Sequence, residues 1–201
     1  MPVQPASPRR RLLLGVGLSL AGGLLGAGRR AWAALPERRV ALHHVQTGET
    51  VRTVYFAQGR YLEEGLREIS RVLRDWRTDE VIGYDPRLLD MLSLLQRRLA
   101  PAGPVEVVSG YRSPATNAML RRRYKGVARN SLHMEGKAID LRFPGCPLDR
   151  LHEAALALEA GGVGYYPAAD FLHLDSGPVR SWSQASWLRS QARRSRAAGK
   201  G

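Results

Sequence analysis

The spacing of apolar residues alternates between two patterns along this chain, and that alternation limits the fold more than any other feature. In some stretches apolar residues recur every three or four positions, which is typical of amphipathic helices. Elsewhere, short runs of β-branched and aromatic residues indicate strands. The patterns predict helices over 62–76, 86–99, 114–124 and 147–160, a hairpin over 40–56, and strands over 105–108, 138–143, 164–166 and 171–175. We therefore expect a single α+β domain in which helices flank a small, mainly antiparallel sheet.

The length and the single cysteine narrow the kinds of domain that this sequence can form. A chain of 201 residues suffices for one domain with extensions at its ends, but it is short for two full cores. Cys146 is the only cysteine, so an intramolecular disulfide and the paired cysteines of structural zinc motifs are excluded. Any metal site must therefore use histidine and carboxylate ligands.

The first 33 residues have the composition of an export signal. An apolar run over 12–28, diluted by six glycines, follows arginines at 9–11 and precedes an A-x-A motif at 31–33. Paired arginines followed by leucines are typical of twin-arginine signals. We therefore predict such a signal over 1–33, a folded domain over 34–183 and a basic tail over 184–201, with export to the periplasm and no stable membrane insertion after cleavage. An uncleaved membrane anchor is the alternative.

The net charge of +13 favours an anionic partner, but the position of that charge matters more than its size. Residues 1–33 and 189–201 carry five basic residues each and no acid, which leaves a central body of about +3. A nucleic-acid-binding domain would combine basic residues and aromatics on one helix or sheet, and only 121–125 hints at that. We therefore expect no nucleic-acid partner.

Two of the five histidines stand close to carboxylates at the ends of predicted strands. His133 lies seven residues before Asp140, and Gly136 between them permits a tight turn, so both side chains could converge on one point. His173 lies on a separate predicted strand. Two imidazoles and one carboxylate suit zinc, and three protein ligands leave a fourth position for water, as in catalytic sites. The alternative is that they are hydrogen-bonded core residues, the interpretation that we give His43, His44 and His152.

Three motifs in a fixed order give the sequence a resemblance to a known family. They are Ser109-Gly110-Tyr111-Arg112-Ser113, then Ser131-x-His133-x-x-Gly136-x-Ala138-x-Asp140, then His173-x-Asp175. In this order they resemble the zinc D-Ala-D-Ala peptidase superfamily, which includes D,D-carboxypeptidases, D,D-dipeptidases and murein endopeptidases. The flanking segments 162–166 and 177–182 are most similar to its murein endopeptidase K branch, and the resemblance spans roughly residues 40–182.

The resemblance implies a role for each residue of the motifs. One Zn²⁺ per chain would be held by His133, Asp140 and His173. Arg112 would face the carbonyl oxygen or a carboxylate of the substrate, since a guanidinium binds two oxygens at once. The related dipeptidases have a glutamate three residues before the last ligand, where this chain has the shorter Asp170, which we favour as general base. Asp175 is the competing candidate, and we interpret it first as a group that orients His173.

The resemblance implies a periplasmic zinc endopeptidase that hydrolyses peptide cross-links in peptidoglycan. A basic chain would be attracted to this anionic polymer, which is the expected partner. The D-alanyl–diaminopimelate bond is the first candidate substrate, and the diaminopimelate–diaminopimelate bond is the second. D,D-carboxypeptidase or dipeptidase activity and a noncatalytic zinc-containing peptidoglycan-binding module remain as alternatives, and the sequence leaves the oligomeric state open.

Overall fold

The structure is a computed structural model that describes residues 36–124 and 126–183. Its strands are β1 (Arg38–His44), β2 (Thr50–Ala57), β3 (Arg60–Tyr61), β4 (Val105–Ser109), β5 (Ala138–Arg142), β6 (Gly162–Tyr166), β7 (Phe171–Asp175) and β8 (Arg180–Ser183). Its α-helices are α1 (Glu63–Val72), α2 (Pro86–Leu99), α3 (Pro114–Arg123) and α4 (Leu148–Leu156). Two short 3-10 helices cover Leu132–Glu135 and Pro167–Ala169.

All eight described strands join in one sheet, in the order β3-β2-β1-β4-β5-β7-β6-β8. The pairs β1–β4 and β6–β8 are parallel, and the remaining neighbours are antiparallel. The prediction of an α+β fold with a mainly antiparallel sheet is therefore confirmed. The sheet is larger than expected because β3 and β8 are too short to leave a recognisable pattern in the sequence.

One face of the sheet forms the core, and the opposite face carries the polar side chains of interest. Leu141 on β5 and Leu172 and Leu174 on β7 are fully buried, and α4 contacts both β6 and β7. Because side chains alternate between the two faces of a strand, Asp140 and His173 project from the other face. The apolar alternation that builds the core thus also places these two residues on the same side.

Two of the predicted helices end earlier in the structure than the sequence pattern indicates. The helix expected over 62–76 ends at Val72, and the chain then turns around Asp75. The carboxylate of Asp75 accepts hydrogen bonds from the backbone N–H groups of Arg77 (3.0 Å) and Ser113 (2.8 Å). These bonds replace the next helical turn. The helix expected over 147–160 ends at Leu156.

The helix predicted over 86–99 and the hairpin over 40–56 are both confirmed. Asp85 caps α2 by accepting a hydrogen bond from the N–H of Arg87 at 2.9 Å, and Pro86 occupies the first turn. The predicted signal peptide over 1–33 and the basic tail over 184–201 lie outside the described residues, so these domain limits stay predictions. Within the described ranges, no helix has both the length and the apolar composition needed to cross a membrane.

Candidate metal centre

A row of residues crosses the sheet on the face opposite the core. In the register of the sheet, Asp140 on β5 pairs with His173 on β7, and His173 pairs in turn with Gly164 on β6. Directly paired residues on neighbouring strands project to the same side, so the side chains of Asp140 and His173 lie next to each other. The sheet register therefore brings together two residues that are 33 positions apart in sequence.

His133 reaches this row from the 3-10 helix that precedes β5. Gly136 ends that helix with a φ of +64°, a backbone conformation that other residues rarely adopt. A Cβ atom at this position would also lie about 2.5 Å from the carbonyl oxygen of Gly83. The glycine therefore permits both the turn and the close approach that bring the chain from His133 into β5.

The side chains of His133, Asp140 and His173 meet at one point. The Nδ1 atom of His173 lies 2.8 Å from Oδ1 of Asp140 and 3.3 Å from Nε2 of His133. Nε2 of His133 lies 3.3 Å from the same Oδ1 atom. The three atoms form a nearly regular triangle, and the three side chains are buried or nearly so.

Hydrogen bonds at the far side of each imidazole determine which nitrogen faces this triangle. Nδ1 of His133 lies 2.7 Å from the carbonyl oxygen of Gly110, an acceptor only, so this nitrogen carries the proton and Nε2 keeps its lone pair. Nε2 of His173 lies 2.9 Å from Oδ2 of Asp175 and donates to it, which in the neutral imidazole leaves the lone pair on Nδ1. Both lone pairs therefore point to the centre of the triangle.

The triangle has the dimensions of one face of a tetrahedral zinc site. Zinc binds imidazole nitrogen and carboxylate oxygen at about 2.0–2.1 Å, so neighbouring ligands of a regular tetrahedron lie about 3.3 Å apart. Two of the three edges here are 3.3 Å and the third is 2.8 Å. The residues therefore fit a zinc ion in donor type, number and spacing, with a fourth position left for another ligand.

The electrostatic environment keeps His133 and Asp140 in the protonation states that metal binding requires. Burial lowers the pKa of His133 to about 4, and the nearby Arg112 guanidinium acts in the same direction, so the imidazole is neutral at pH 7. Burial opposes ionisation of Asp140, but His133 and Arg112 outweigh it and hold its pKa well below the usual value. A neutral imidazole and an ionised carboxylate are the ligand forms of these side chains. At His173, burial is outweighed by the hydrogen bonds to Asp140 and Asp175, which raise its pKa, so metal binding there displaces a proton.

Arg112 lies beside the cluster, as the sequence led us to expect. Its Nη2 forms an ion pair with Oδ2 of Asp140, and its Nε donates to Oγ of Ser109 at 2.9 Å. The backbone N–H of Arg112 donates to the carbonyl oxygen of His133 at 3.3 Å. Arg112 therefore fixes one carboxylate oxygen of Asp140 while the other faces the two histidines. Within residues 36–124 and 126–183 no hydrogen bond of its Nη1 is seen.

A cavity of about 410 Å³ opens onto the cluster. Its lining includes Arg112 and the three clustered side chains, and segments 126–128 and 130–132 form one wall. The opposite wall consists of Tyr166, Phe171, Arg180 and Trp182. The cavity is lined by polar and apolar residues in about equal measure, and its size is within the range of sites that bind small molecules or peptides.

The two carboxylates considered as general base lie in different surroundings, and neither lines the cavity. Asp170 follows the second 3-10 helix, its side chain is 69% exposed, and its nearest charged partner is Nη1 of Arg142 at 3.5 Å. Asp175 is fully buried behind His173. Hydrogen bonds from His173 and Arg180 outweigh the effect of burial and lower the pKa of Asp175 to about 2. The structure therefore does not bring Asp170 into the cluster and places Asp175 where it orients His173.

Tyr166, Arg180 and Trp182 line the cavity but are not among the site residues predicted from the sequence. Trp182 packs against His173, with ring centroids 5.2 Å apart, and its indole N–H donates to the hydroxyl of Tyr166 at 2.8 Å. Arg180 forms an ion pair with Asp175. The adjacent Tyr165 instead contacts Asp149 outside the cavity. No pattern in the sequence indicates Arg180 and Trp182 as cavity residues, because β8 has only four residues.

Comparisons with known proteins find one family over most of the chain. The family model described as peptidoglycan L,D-endopeptidase MepK matches residues 32–182. Peptidoglycan L,D-endopeptidase MepK of Escherichia coli K12 is 39% identical over 175 residues, which cover 87% of this chain and 96% of that protein. The protein named probable peptidoglycan L,D-endopeptidase MepK of Haemophilus influenzae is 39% identical over 176 residues, covering 87% and 94% of the two chains.

Proposed function

This chain belongs to the peptidoglycan L,D-endopeptidase MepK family of metallopeptidases, and from that premise we propose that it is a zinc-dependent hydrolase of L,D peptide cross-links in peptidoglycan. The observation that carries the proposal is the triangle of His133, Asp140 and His173, whose edges match a zinc site. The cavity beside the triangle provides the room that a peptide needs to reach it.

His133 would bind the ion through Nε2, His173 through Nδ1 and Asp140 through Oδ1, since these are the atoms that face one another. When bound there, zinc activates a water molecule and polarises the amide carbonyl that the water attacks. The proposed stoichiometry is one ion per chain. The three side chains come from β5, β7 and the segment before β5, so the folded sheet preorganises the site.

Arg112 is proposed to bind the oxygen that becomes negative during the reaction. Asp140 and Ser109 hold its guanidinium through Nη2 and Nε, so its orientation is fixed before substrate arrives. A fixed donor directed to a developing negative charge stabilises the transition state more than the ground state. The aromatic rings of Tyr166, Phe171 and Trp182 would pack along the substrate on the opposite wall.

The name of the relatives indicates which cross-link to expect. An L,D-endopeptidase hydrolyses a bond between an L centre and a D centre. meso-Diaminopimelate carries one centre of each kind, whereas a D-alanyl–diaminopimelate bond joins two D centres. We therefore favour the diaminopimelate–diaminopimelate cross-link, which was the second of the two bonds expected from the sequence.

Asp170 remains our proposal for the group that takes a proton from the attacking water. Its carboxylate is exposed, and its contact with Arg142 is long at 3.5 Å. Rotation of the side chain could therefore direct the carboxylate towards the cavity. Asp175 is unsuited because His173, Arg180 and the N–H groups of Gly162 and Gly177 occupy both of its oxygens.

Peptidoglycan as substrate also fits the predicted export to the periplasm by the twin-arginine route.

The test is to incubate the purified zinc-loaded protein with muropeptide dimers of each cross-link type and to measure the monomers by mass spectrometry. We expect cleavage of diaminopimelate–diaminopimelate dimers, with a loss of roughly 10³-fold or more after metal removal or in His133→Ala. Asp170→Ala should retain zinc but lose about 10²–10⁴-fold in rate. Asp79→Ala is the matched control, because Asp79 is also exposed, pairs with one arginine and has a positive φ.

Other outcomes would identify the alternatives. Release of only a terminal D-alanine would indicate a carboxypeptidase, and binding to sacculi without cleavage would indicate a noncatalytic module. Cleavage restricted to D-alanyl–diaminopimelate dimers would overturn the L,D assignment. A parent-like rate in Asp170→Ala would overturn the assignment of Asp170 as the base.

A further inference from the structure

Two glycines in β6 open a path across this strand. Gly162 and Gly164 pair with Asp175 and His173 of β7 on one side and with Arg180 and Trp182 of β8 on the other. A Cβ atom at Gly162 would lie about 2.6 Å from Nη1 of Arg180 and still closer to Oδ2 of Asp175. The absence of side chains on β6 therefore lets residues of β8 reach across one strand and contact residues of β7.

Arg180 uses this path to bind both oxygens of Asp175. Its Nη1 donates to Oδ1 at 3.0 Å, and its Nη2 donates to Oδ2 at 2.6 Å. A fork of this kind fixes the plane of the carboxylate as well as its position. Oδ1 also accepts the backbone N–H groups of Gly162 (3.2 Å) and Gly177 (2.9 Å). Asp175 is thus bound from three directions with its Oδ2 directed to His173.

Trp182 uses the equivalent path over Gly164. A Cβ atom at Gly164 would lie about 2.6 Å from the indole ring, so the ring can cover His173 only because this residue is glycine. Arg180 in turn lies over Trp182, with the guanidinium carbon 5.0 Å from the ring centroid. Asp175 therefore accepts a hydrogen bond from the His173 imidazole, while Trp182 packs against the same imidazole ring.

We propose that Arg180 is a positioning residue of the metal centre: it fixes Asp175, which keeps Nδ1 of His173 directed at His133 and Asp140. The proposal rests on the metal centre of the proposed function but not on its substrate. Groups that orient a ligand in this way contribute about 10–100-fold to metal affinity. Arg180 touches none of the three proposed ligands, so its effect must pass through Asp175 and the packing on Trp182.

The structure offers a matched control in Arg38. Nη1 of Arg38 lies 2.6 Å from a carboxylate oxygen of Asp90, and its guanidinium lies 4.1 Å from the ring centroid of Phe56. The exposed fractions of the two arginine side chains are also similar, 35% for Arg38 and 43% for Arg180. Removing either arginine thus costs one ion pair and one ring contact. Removing Arg180 also costs the hydrogen bond from its Nη1 to the carbonyl oxygen of Pro178 at 3.0 Å, and only Arg180 is connected to the metal centre.

The experiment compares the zinc affinity of Arg180→Ala, Arg180→Lys and Arg38→Ala with that of the parent, by competition with a chelator at pH 7. We expect about 10–100-fold weaker binding for Arg180→Ala and a smaller loss for Arg180→Lys, whose ammonium keeps the charge but not the fork. Arg38→Ala should stay within about twofold of the parent. The absorption spectrum of the Co²⁺-loaded protein should change in the Arg180 variants alone, because it reports the geometry of the ligands.

Each outcome leads to a decision. Parent-like zinc affinity and Co²⁺ spectrum in folded Arg180→Ala would overturn the proposal and leave the proposed function intact. Equal losses in Arg38→Ala and Arg180→Ala would also overturn it, because they would show a general effect of stability. If Arg180→Ala does not fold, Arg180→Lys decides, and parent-like affinity in that variant counts against the proposal. Failure of the parent to bind zinc would overturn the proposed function itself.

Discussion

Two carboxylates in different parts of the molecule, the partly exposed Asp90 and the fully buried Asp175, share one arrangement of partners. Each forms an ion pair with an arginine at 2.6 Å, and each arginine lies over an aromatic ring. Asp90 also accepts hydrogen bonds from the hydroxyls of Tyr55 (3.0 Å) and Tyr61 (2.8 Å). The corresponding bond to Asp175 comes from the imidazole of His173 at 2.9 Å.

The difference between these partners decides what each ion pair does. A phenol has one polar atom, so the interactions of Asp90 end at the two tyrosines and contribute to stability alone. An imidazole has two nitrogens, and fixing one of them sets the direction of the other. The same arrangement of arginine, ring and carboxylate therefore stabilises the fold at Asp90 and orients a proposed metal ligand at Asp175.

The largest difference is expected when each carboxylate is removed. Asp175→Ala should weaken zinc binding by roughly 100-fold, because His173 loses the acceptor that orients it. It should also lower the free energy of unfolding by about 3 kcal/mol, since buried donors lose their partner. Asp90→Ala should lower the free energy of unfolding by about 1–3 kcal/mol and leave the zinc affinity unchanged. Chelator competition measures the zinc affinity, and denaturant unfolding of the zinc-free variants measures the free energy of unfolding. Equal zinc affinities of Asp175→Ala and Asp90→Ala would remove the distinction between the two carboxylates.

An intermediate effect is expected from adding one methyl group to β6. Gly162→Ala places a Cβ atom against Arg180 and Asp175, so we expect a loss of about 1–3 kcal/mol in unfolding free energy and weaker zinc binding. Gly103→Ala is the control, because a Cβ atom there meets no atom within 4 Å, and it should change stability by less than about 0.5 kcal/mol. Thermal unfolding and zinc titration of Gly162→Ala and Gly103→Ala test this prediction. Parent-like stability and zinc affinity of Gly162→Ala would contradict the path of the Arg180 side chain across β6.

The smallest effect concerns His44, a buried histidine in the same part of the molecule as Asp90. Burial lowers its pKa below the ordinary value of 6.5, Arg74 and His43 lower it further, and Glu49 raises it. The unfolded chain therefore takes up a proton before the folded chain does, so this contribution to stability is lost as the pH falls below about 6.5. In His44→Gln the decline in unfolding free energy between pH 7 and pH 5 should be smaller than in the parent, because this proton uptake by the unfolded chain is absent. Urea unfolding of both zinc-free proteins measures the slopes, and equal slopes would refute the assignment to His44.

Residue types and spacing only suggested His133, Asp140 and His173 as ligands, and the resemblance to the peptidase superfamily implied them. Local rules account for the face on which each of them lies. Alternation along β5 and β7 puts Asp140 and His173 on the face opposite the core, and Gly136 supplies the turn after His133. Which strands are neighbours does not follow from such rules. The contact of Arg180 with Asp175 depends on the parallel pairing of β6 with the four-residue strand β8, which no pattern in the sequence indicates. The end of α1 was missed for a similar reason, because Asp75 is bound by Ser113, which is 38 residues away.

The outermost position of β8 has a kinetic consequence. Among the described strands, β8 lies at the edge of the sheet and is hydrogen-bonded only to β6. Edge segments open more often than strands inside a sheet, and such openings do not require the whole domain to unfold. Each opening would withdraw Arg180 from Asp175 and Trp182 from His173 at the same time. The rate at which the centre exchanges its ion is therefore expected to follow fraying of this edge rather than global unfolding.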